Sequence, residues 1–374
     1  MDMSKSKVRW GILGTANIAQ KNWKAIQNAG NATVTAVASR DLERSRDFIN
    51  KCQAEVPMEV APNPFGSYDD LLALPEVDAV YIPLPTGLRK AWVLKAASAG
   101  KHVLCEKPCA ATVQDLQEML AVCRKHDVQF MDGVMFMQSR RLEMMRAVLK
   151  SADGVGAIKR ITCAFTFGSA PEFFDSNIRT DSNLEPLGCL GDLGWYCIRF
   201  ALWAMDWQLP QKVTGRIVSQ FSRQSSPMPV PTDFSGELVF EHEASAGFYC
   251  SFIAANQQWA KISGDQGYLE LEDFVLPFHG PELRFQVQKA QFHVNGCDFK
   301  MDPQTRSFTV PEHSHGHPRA QESNLFRNFS NQVLSGSLNP FWPELALKTQ
   351  QVTCACLESA RMEGRAVFLA REHD

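Results

Sequence analysis

The segment Val103-Leu104-Cys105-Glu106-Lys107-Pro108 ends a short apolar run with a carboxylate, an ammonium and a proline. Further along, Gly191-Asp192-Leu193-Gly194-Trp195-Tyr196 offers a carboxylate and a phenol four positions apart, among small residues that let a ligand approach closely. A phenol with its ordinary pKa of about 10 is a poor base at neutral pH. A nearby ammonium favours the phenolate and lowers that value. Lys107 and Tyr196 thus form a candidate acid/base pair for a hydroxyl proton, with Lys107 also binding the hydroxyl and Asp192 orienting the substrate or the lysine. The blander alternatives are an aromatic helix packed on a sheet for residues 195–200 and a surface charge before a helix-starting proline for Lys107.

The surrounding pattern says what must hold these groups. Up to residue 132, strands at 8–13, 33–39, 79–82, 102–105 and 129–131 alternate with helices at 17–29, 41–53, 68–74, 88–99 and 112–126. Such spacing predicts parallel pairing with right-handed crossovers. Lys107 then emerges at the carboxyl edge of the sheet, where such folds hold ligands. After residue 150 the period changes to two: Ile161, Cys163, Phe165 and Phe167 alternate, as do Ala246, Phe248, Cys250 and Phe252, and Leu283, Phe285 and Val287. These runs predict an open antiparallel sheet with one wet face. Helices are expected at 192–205, 320–334 and 343–362, and a proline-rich surface loop at 224–232. The expectation is an α/β N-terminal Rossmann domain with a parallel sheet over 1–132. An α+β C-terminal domain on a large, mostly antiparallel open sheet follows over 133–374.

A chain of 374 residues exceeds one ordinary core, and 45% hydrophobic with 21% charged residues describes a globular protein. A net charge of −3 gives no field for gathering phosphates along a nucleic acid, so no nucleic-acid partner is expected. No run reaches the length of a membrane span. Residues 1–7 lack the apolar core of a signal peptide, which makes a cytoplasmic location the expectation. The 11 cysteines form no C-x-x-C pairs and read as reduced, structural residues. The alternate histidines His313, His315 and His317 have no acidic or cysteine partners at useful spacing and read as a solvated loop, so no metal is expected.

Gly14-Thr15-Ala16-Asn17-Ile18-Ala19 follows the first strand and opens the first helix as a G-x-A-x-x-A form of the dinucleotide fingerprint. Gly14 makes the tight turn, Ala16 replaces the usual second glycine, and a pyrophosphate would rest on the free N–H groups at the helix start. A plain strand–helix turn is the alternative. The ribose-reading position, about twenty to twenty-five residues on, falls at Ser39, followed by Arg40 and, one helical turn later, Arg44. Without an aspartate to repel a 2′-phosphate, Ser39, Arg40 and Arg44 favour NADP(H) over NAD, unless both arginines are solvated helix-start charges.

With these motifs the chain resembles the Gfo/Idh/MocA family over nearly its whole length. Tyr81-Ile82-Pro83-Leu84-Pro85 is similar to the family's fourth-strand signature. This implies cofactor contacts from Pro83, Leu84, Pro85 and Thr86, together with Glu106 and Lys107. Gly154-Val155-Gly156-Ala157-Ile158-Lys159 is similar to the opening of its second domain. Asn177-Ile178-Arg179 and the 191–196 segment are similar to its substrate-side motifs. The latter resembles the branch of dihydrodiol dehydrogenases, xylose dehydrogenases and glucose–fructose oxidoreductase, which carry tyrosine where inositol dehydrogenases carry histidine. The chain departs at Thr86 and Arg89, where the family commonly has asparagine and histidine, and at Gln138-Ser139, where a histidine–proline pair is common. Arg89, Gln138 and Arg179 are therefore substrate-side candidates, Arg179 being equally an ion-pair partner of Glu172 or Asp175. The resemblance implies an NADP-dependent oxidoreductase acting on a sugar, polyol or cyclic diol, assembled as a homodimer or homotetramer. The alternatives are a catalytically silent NADP(H)-binding sensor and a structural protein with an empty pocket.

Overall fold

A computed structural model describes residues 7–224 and 226–369. Residues 1–6, on which the reading of the amino terminus rests, and Ser225 of the proline-rich loop lie outside the described residues. In chain order the first elements are β1 (Val8–Leu13), α1 (Asn17–Ala29), β2 (Ala32–Ala38), α2 (Leu42–Glu55), β3 (Asn63–Phe65), α3 (Tyr68–Leu72), β4 (Ala79–Ile82), α4 (Thr86–Ser98), β5 (His102–Cys105), α5 (Val113–Lys125), β6 (Phe130–Asp132) and α6 (Arg140–Leu149). There follow β7 (Ile158–Thr166), α7 (Pro171–Ser176), α8 (Trp195–Ala204), β8 (Lys212–Phe221), β9 (Val230–Val239), β10 (Ser245–Ser251), β11 (Gln257–Gly264), β12 (Tyr268–Leu271), β13 (Leu283–Gln288), β14 (Gln291–Asn295), β15 (Asp298–Asp302), β16 (Thr305–Val310), α9 (Gln321–Leu334), α10 (Phe341–Arg361) and β17 (Val367–Phe368).

Two compact units emerge, and neither is one stretch of sequence. The first holds the residues up to Gln138 together with Asn183–Pro186 and His315–Gln350; the second holds Ser139–Ser182, Leu187–Ser314 and the chain beyond Gln350. The expected division after residue 132 therefore misses two returns of the chain to its first unit. Local patterning could not show them, because they are set by which core a distant segment buries against.

The first unit carries a six-stranded sheet in the order β3-β2-β1-β4-β5-β6, with every neighbouring pair parallel. The strand order reverses between β1 and β4, which makes their shared carboxyl edge the ligand-binding position of such sheets. β4 and β5 are buried almost throughout, as expected of parallel strands covered on both faces. Helix starts follow local chemistry: the side chains of Asp41 and Thr112 accept from the amides of Glu43 and Asp115 and fix the starts of α2 and α5. The late return is anchored by α9, whose Phe326 and Phe329 rings lie 5.2 Å from Trp10 of β1. The Trp10 indole also donates to Ser330 at 3.2 Å. Removing a buried ring such as Phe326 costs about 3–5 kcal/mol, enough to explain why α9 belongs here.

The second unit carries a nine-stranded sheet in the order β16-β13-β12-β11-β7-β10-β9-β8-β17, antiparallel except for the parallel pair β7–β10. The period-two runs behave as expected: Ile161 and Cys163, Ala246 and Cys250, and Leu283, Phe285 and Val287 point into one buried face. That face is covered in part by α8, which is buried at all of its positions. Two expectations need correction here. The 192–205 helix begins as a π turn over Leu190–Gly194 before α8 takes over at Trp195. The proline-rich surface loop is shorter than expected, because Val230, Pro231 and Thr232 are already buried residues of β9. Among the described residues no helix is long and apolar enough to cross a membrane.

Glu312, fully buried in the second unit, accepts from the Arg140 amide at 2.6 Å and from the Ser139 hydroxyl at 3.1 Å, and so caps α6. Burial pushes its pKa from 4.5 up to about 7, despite those donors. The folded chain therefore holds this proton to higher pH than the unfolded chain does. The resulting stabilisation is complete below about pH 4.5 and is lost as pH rises to about 7. The melting temperature should fall between pH 5 and pH 8, and Glu312→Gln should flatten that fall. An unchanged slope in the variant would refute the assignment.

Candidate active site

At the β1–α1 turn, Gly14 has φ +116°, a conformation open to glycine but strained for other residues. Ala16 precedes α1 in extended conformation, and the helix starts with neither a side-chain cap nor an acidic residue in its first turn. Its first amides therefore suit an anion, and Thr15, Asn17 and Ile18 lie on the same turn. Ser39 is buried with its Oγ accepting from the Asp41 amide at 3.2 Å, whereas Arg40 and Arg44 are exposed. Both arginines act electrostatically on the Tyr68 phenol, lowering a pKa that burial otherwise raises. The Tyr68 hydroxyl oxygen lies 3.8 Å from where a Cβ on Gly14 would stand. Gly14, Arg40, Arg44 and Tyr68 thus gather at one end of the sheet. These residues fit a dinucleotide. Tyr68 was not legible in the sequence, since one tyrosine on a short helix has no distinguishing pattern.

The loop after β5 is held on both sides of Lys107. Before it, Tyr81 of β4, fully buried, donates to Glu106 Oε1 at 2.6 Å and accepts from Asn22 Nδ2 at 2.6 Å. Burial first, and then the Glu106 charge, hold the Tyr81 phenol well above its ordinary pKa, so it stays a donor. Gly133 makes room for this carboxylate: a Cβ there would stand 3.1 Å from Glu106 Oε1. After it, the Pro108 carbonyl accepts from Arg89 Nη1. Cys105, its thiol pushed up to about 12 by burial, is a packing residue and no nucleophile.

Two substrate-side candidates are turned into the protein. Arg89 is buried, with Nε donating to the Leu84 carbonyl at 2.7 Å and Nη1 to the Thr86 hydroxyl at 2.9 Å. Gln138 is also buried; its Oε1 accepts from Asn328 at 2.8 Å and its carbonyl from Asn324 at 3.2 Å. Pro83 and Leu84 are likewise buried after β4, with Leu84 Cδ2 3.1 Å from a Cβ built on Gly14.

In the second unit, Tyr196 lies on α8, 5% exposed, its ring 5.5 Å from Phe165 in edge contact. Asp192 sits in the preceding π turn rather than in regular α-helix. Asp192 Oδ2 accepts from Arg179 Nε at 2.6 Å. The ion-pair reading of Arg179 is right in kind, but the partner is Asp192 and not Glu172 or Asp175. Asn177 accepts from the Arg179 amide at 3.0 Å and steadies that turn. Arg223 donates to the carbonyls of Asn177 and Phe174 at 2.6 and 3.2 Å, fixing the whole 174–181 segment.

A doubly wound sheet with an uncapped helix start after its first strand and a lysine in the loop at its carboxyl edge has the architecture of a dinucleotide-binding domain. The chain belongs to the GFO/IDH/MocA oxidoreductase family. Its residues 8–134 match the family's NAD-binding Rossmann domain, and residues 143–270 match a GFO/IDH/MocA C-terminal domain. D-xylose 1-dehydrogenase (NADP(+)) 2 of Haloferax volcanii is 32% identical over 70% of this chain and 74% of its own. Human trans-1,2-dihydrobenzene-1,2-diol dehydrogenase is 28% identical over 71% and 74%. Among solved structures, the Caulobacter crescentus aldose-aldose oxidoreductase with glycerol superposes with TM-score 0.78 at 23% identity, covering 97% of this chain and all of that one. A 3-ketoreductase from Actinomadura kijaniata with NADP and TDP-benzene gives 0.74 at 24%, covering 94% and 98%. GenD2 of gentamicin A biosynthesis, with NAD, gives 0.77 at 16%, covering 98% and 97%. At these identities the structural likenesses concern the fold.

The two anchors should differ in worth. Tyr81→Phe leaves a half-buried carboxylate and a buried amide each one partner short, a cost of about 1–3 kcal/mol. Asp192→Asn loosens a part-exposed pair, worth at most about 1 kcal/mol. Urea unfolding of both variants checks this, and a larger loss for Asp192→Asn would contradict it.

Proposed function

We propose that this chain is an NADP-dependent oxidoreductase moving hydride between nicotinamide and a carbinol or carbonyl carbon of a sugar, polyol or cyclic diol. The observation that carries the reading is the pinned Glu106-Lys107-Pro108 loop at the carboxyl edge of the dinucleotide sheet. The names of the relatives support it: one is a xylose dehydrogenase using NADP, another a dihydrodiol dehydrogenase. Gly14, Thr15, Ala16, Asn17 and Ile18 would hold the pyrophosphate, Ser39, Arg40 and Arg44 the 2′-phosphate side, and Pro83, Leu84, Pro85, Thr86 and Glu106 the nicotinamide side. The bound cofactor supplies or accepts the hydride.

The side chains handle the proton. In the reductive direction Tyr196 gives its phenolic proton to the nascent alkoxide oxygen; in the oxidative direction the phenolate takes it back. Lys107 binds that oxygen and stabilises negative charge on either partner. Asp192 holds Arg179, and the two together present a guanidinium to substrate hydroxyls rather than a free carboxylate. Arg89 and Gln138 act from within the protein, not on the substrate.

The absorbance change at 340 nm with NADPH or NADP and a panel of aldoses, polyols and cyclic diols tests the reaction class. NADPH binding with no turnover anywhere in the panel would favour the silent sensor. Lys107→Met and Tyr196→Phe should each lower kcat by about 10²–10⁴-fold, and the double variant by little more than either alone, because one proton transfer needs both. Fully multiplicative losses would mean that the two act in separate steps. Arg40→Ala should weaken NADPH by about tenfold or more and leave NADH almost unchanged; equal loss would overturn the 2′-phosphate assignment.

A further inference from the structure

The guanidinium of Arg89 is 5% exposed and meets the loops after β4 and β5 together. Nε donates to the Leu84 carbonyl at 2.7 Å, and Nη1 to the Thr86 hydroxyl at 2.9 Å and to the Pro108 carbonyl. Its charge is balanced from a third segment: Glu185 Oε1 lies 3.9 Å from Arg89 Nη2. Glu185 is itself buried, and it accepts from the Thr86 amide at 3.1 Å and from the Thr86 hydroxyl at 2.5 Å. It thereby satisfies an amide at the start of α4, which has no side-chain cap of its own.

Glu185 arrives on Asn183–Pro186, four residues that pack with the first unit although the chain on either side packs with the second. The fit is close. The Gly87 amide donates to the Leu184 carbonyl at 2.9 Å, and a Cβ on Gly87 would meet the Asn183 carbonyl oxygen at 2.0 Å. A side chain at position 87 would lift this strap away and take the carboxylate with it.

We propose that Arg89, charge-balanced by Glu185, is a positioning residue that fixes Lys107 through the Pro108 carbonyl. The proposal rests on the reading of Lys107 as the group that binds the reacting hydroxyl. A buried guanidinium requires a carboxylate, since a lone buried charge is strongly disfavoured. A planar fork is needed because the acceptors lie on different loops, and a lysine's point charge reaches fewer of them in fixed directions. With Tyr81 holding Glu106 on one side and Arg89 holding Pro108 on the other, Lys107 lies between two buried anchors. Its backbone cannot drift without breaking one of them. Positional errors of about 1 Å at a reacting group cost on the order of a hundredfold in rate, so such bracing has a catalytic consequence.

Hydrogen exchange on the full chain, read peptide by peptide, tests the clamp without reference to any substrate. In Arg89→Met the amides of residues 105–110 should exchange at least about tenfold faster, with those of β1 and β6 unchanged. Should that variant fail to fold, Arg89→Lys and Glu185→Gln are read in the same way, with a smaller acceleration at the same amides. Unchanged exchange at 105–110 in any folded variant overturns the proposal, as does acceleration spread evenly over the first unit. For turnover, measured with whichever sugar or diol of the panel reacts, Arg89→Met should lower kcat by about 10–100-fold with KM and NADPH affinity within about threefold. In the Lys107→Met background the same substitution should change kcat by less than about threefold; a second full loss there overturns the proposal. Failure of the underlying reading is distinct: if Lys107→Met alone keeps full activity, the role of Lys107 falls, while the exchange result still decides the clamp.

Discussion

The hydrogen bond from a fully buried tyrosine to a carboxylate at the end of β5 is the constraint on which the first unit's site depends. Tyr81 and Glu106 stand on adjacent parallel strands, and their 2.6 Å contact is possible because Gly133 leaves space beside the carboxylate. The phenol, held well above its ordinary pKa by burial and then by Glu106, serves as the donor, and Asn22 donates to its oxygen from the other side. The loop that follows inherits its direction from this contact. The Lys107 ammonium therefore leaves the sheet edge from a fixed point rather than from a mobile turn.

The second unit solves a different problem. Its wide sheet needs an apolar cover, and α8 supplies one with a helix buried on every side. The π turn ahead of it carries Asp192, which meets Arg179, while α8 packs the Tyr196 ring against Phe165. Extra-residue turns of this kind recur where helices carry functional groups.

Much of the architecture is legible in the sequence. The strands at 79–82 and 102–105 are legible to the residue, because short, largely apolar runs bounded by charge and proline have few alternatives. β3 is not: three residues with Pro64 in the middle carry no periodicity, and their pairing with β2 comes only from the sheet's need for a neighbour. The positive-φ turn at Gly14 and the exposed arginines after β2 are legible because each lies within one strand–turn–helix unit. Tyr68, which shares their neighbourhood, and Glu185, which reaches Thr86 from 99 positions away, had no local sign. Arg89 stands out in the sequence as a departure from the family pattern, but its burial among the Leu84, Thr86 and Pro108 acceptors has no local sign. Whether a guanidinium faces a ligand or the protein depends on which carbonyls the fold brings to it.

The sequence by itself determined the classes of element, the parallel and antiparallel characters of the two sheets, and the residue types able to carry proton chemistry. These follow from periodicity, turn residues and side-chain pKa, all properties of neighbours along the chain. Tertiary structure alone decided that α9 and the 183–186 strap complete the first unit, that Asp192 serves Arg179, and that Arg89 is a brace. Each of those outcomes is a competition among distant partners for one buried polar or aromatic group. Burial makes the winning contact worth several times its value in water, and no local rule reveals which partner the chain will bring.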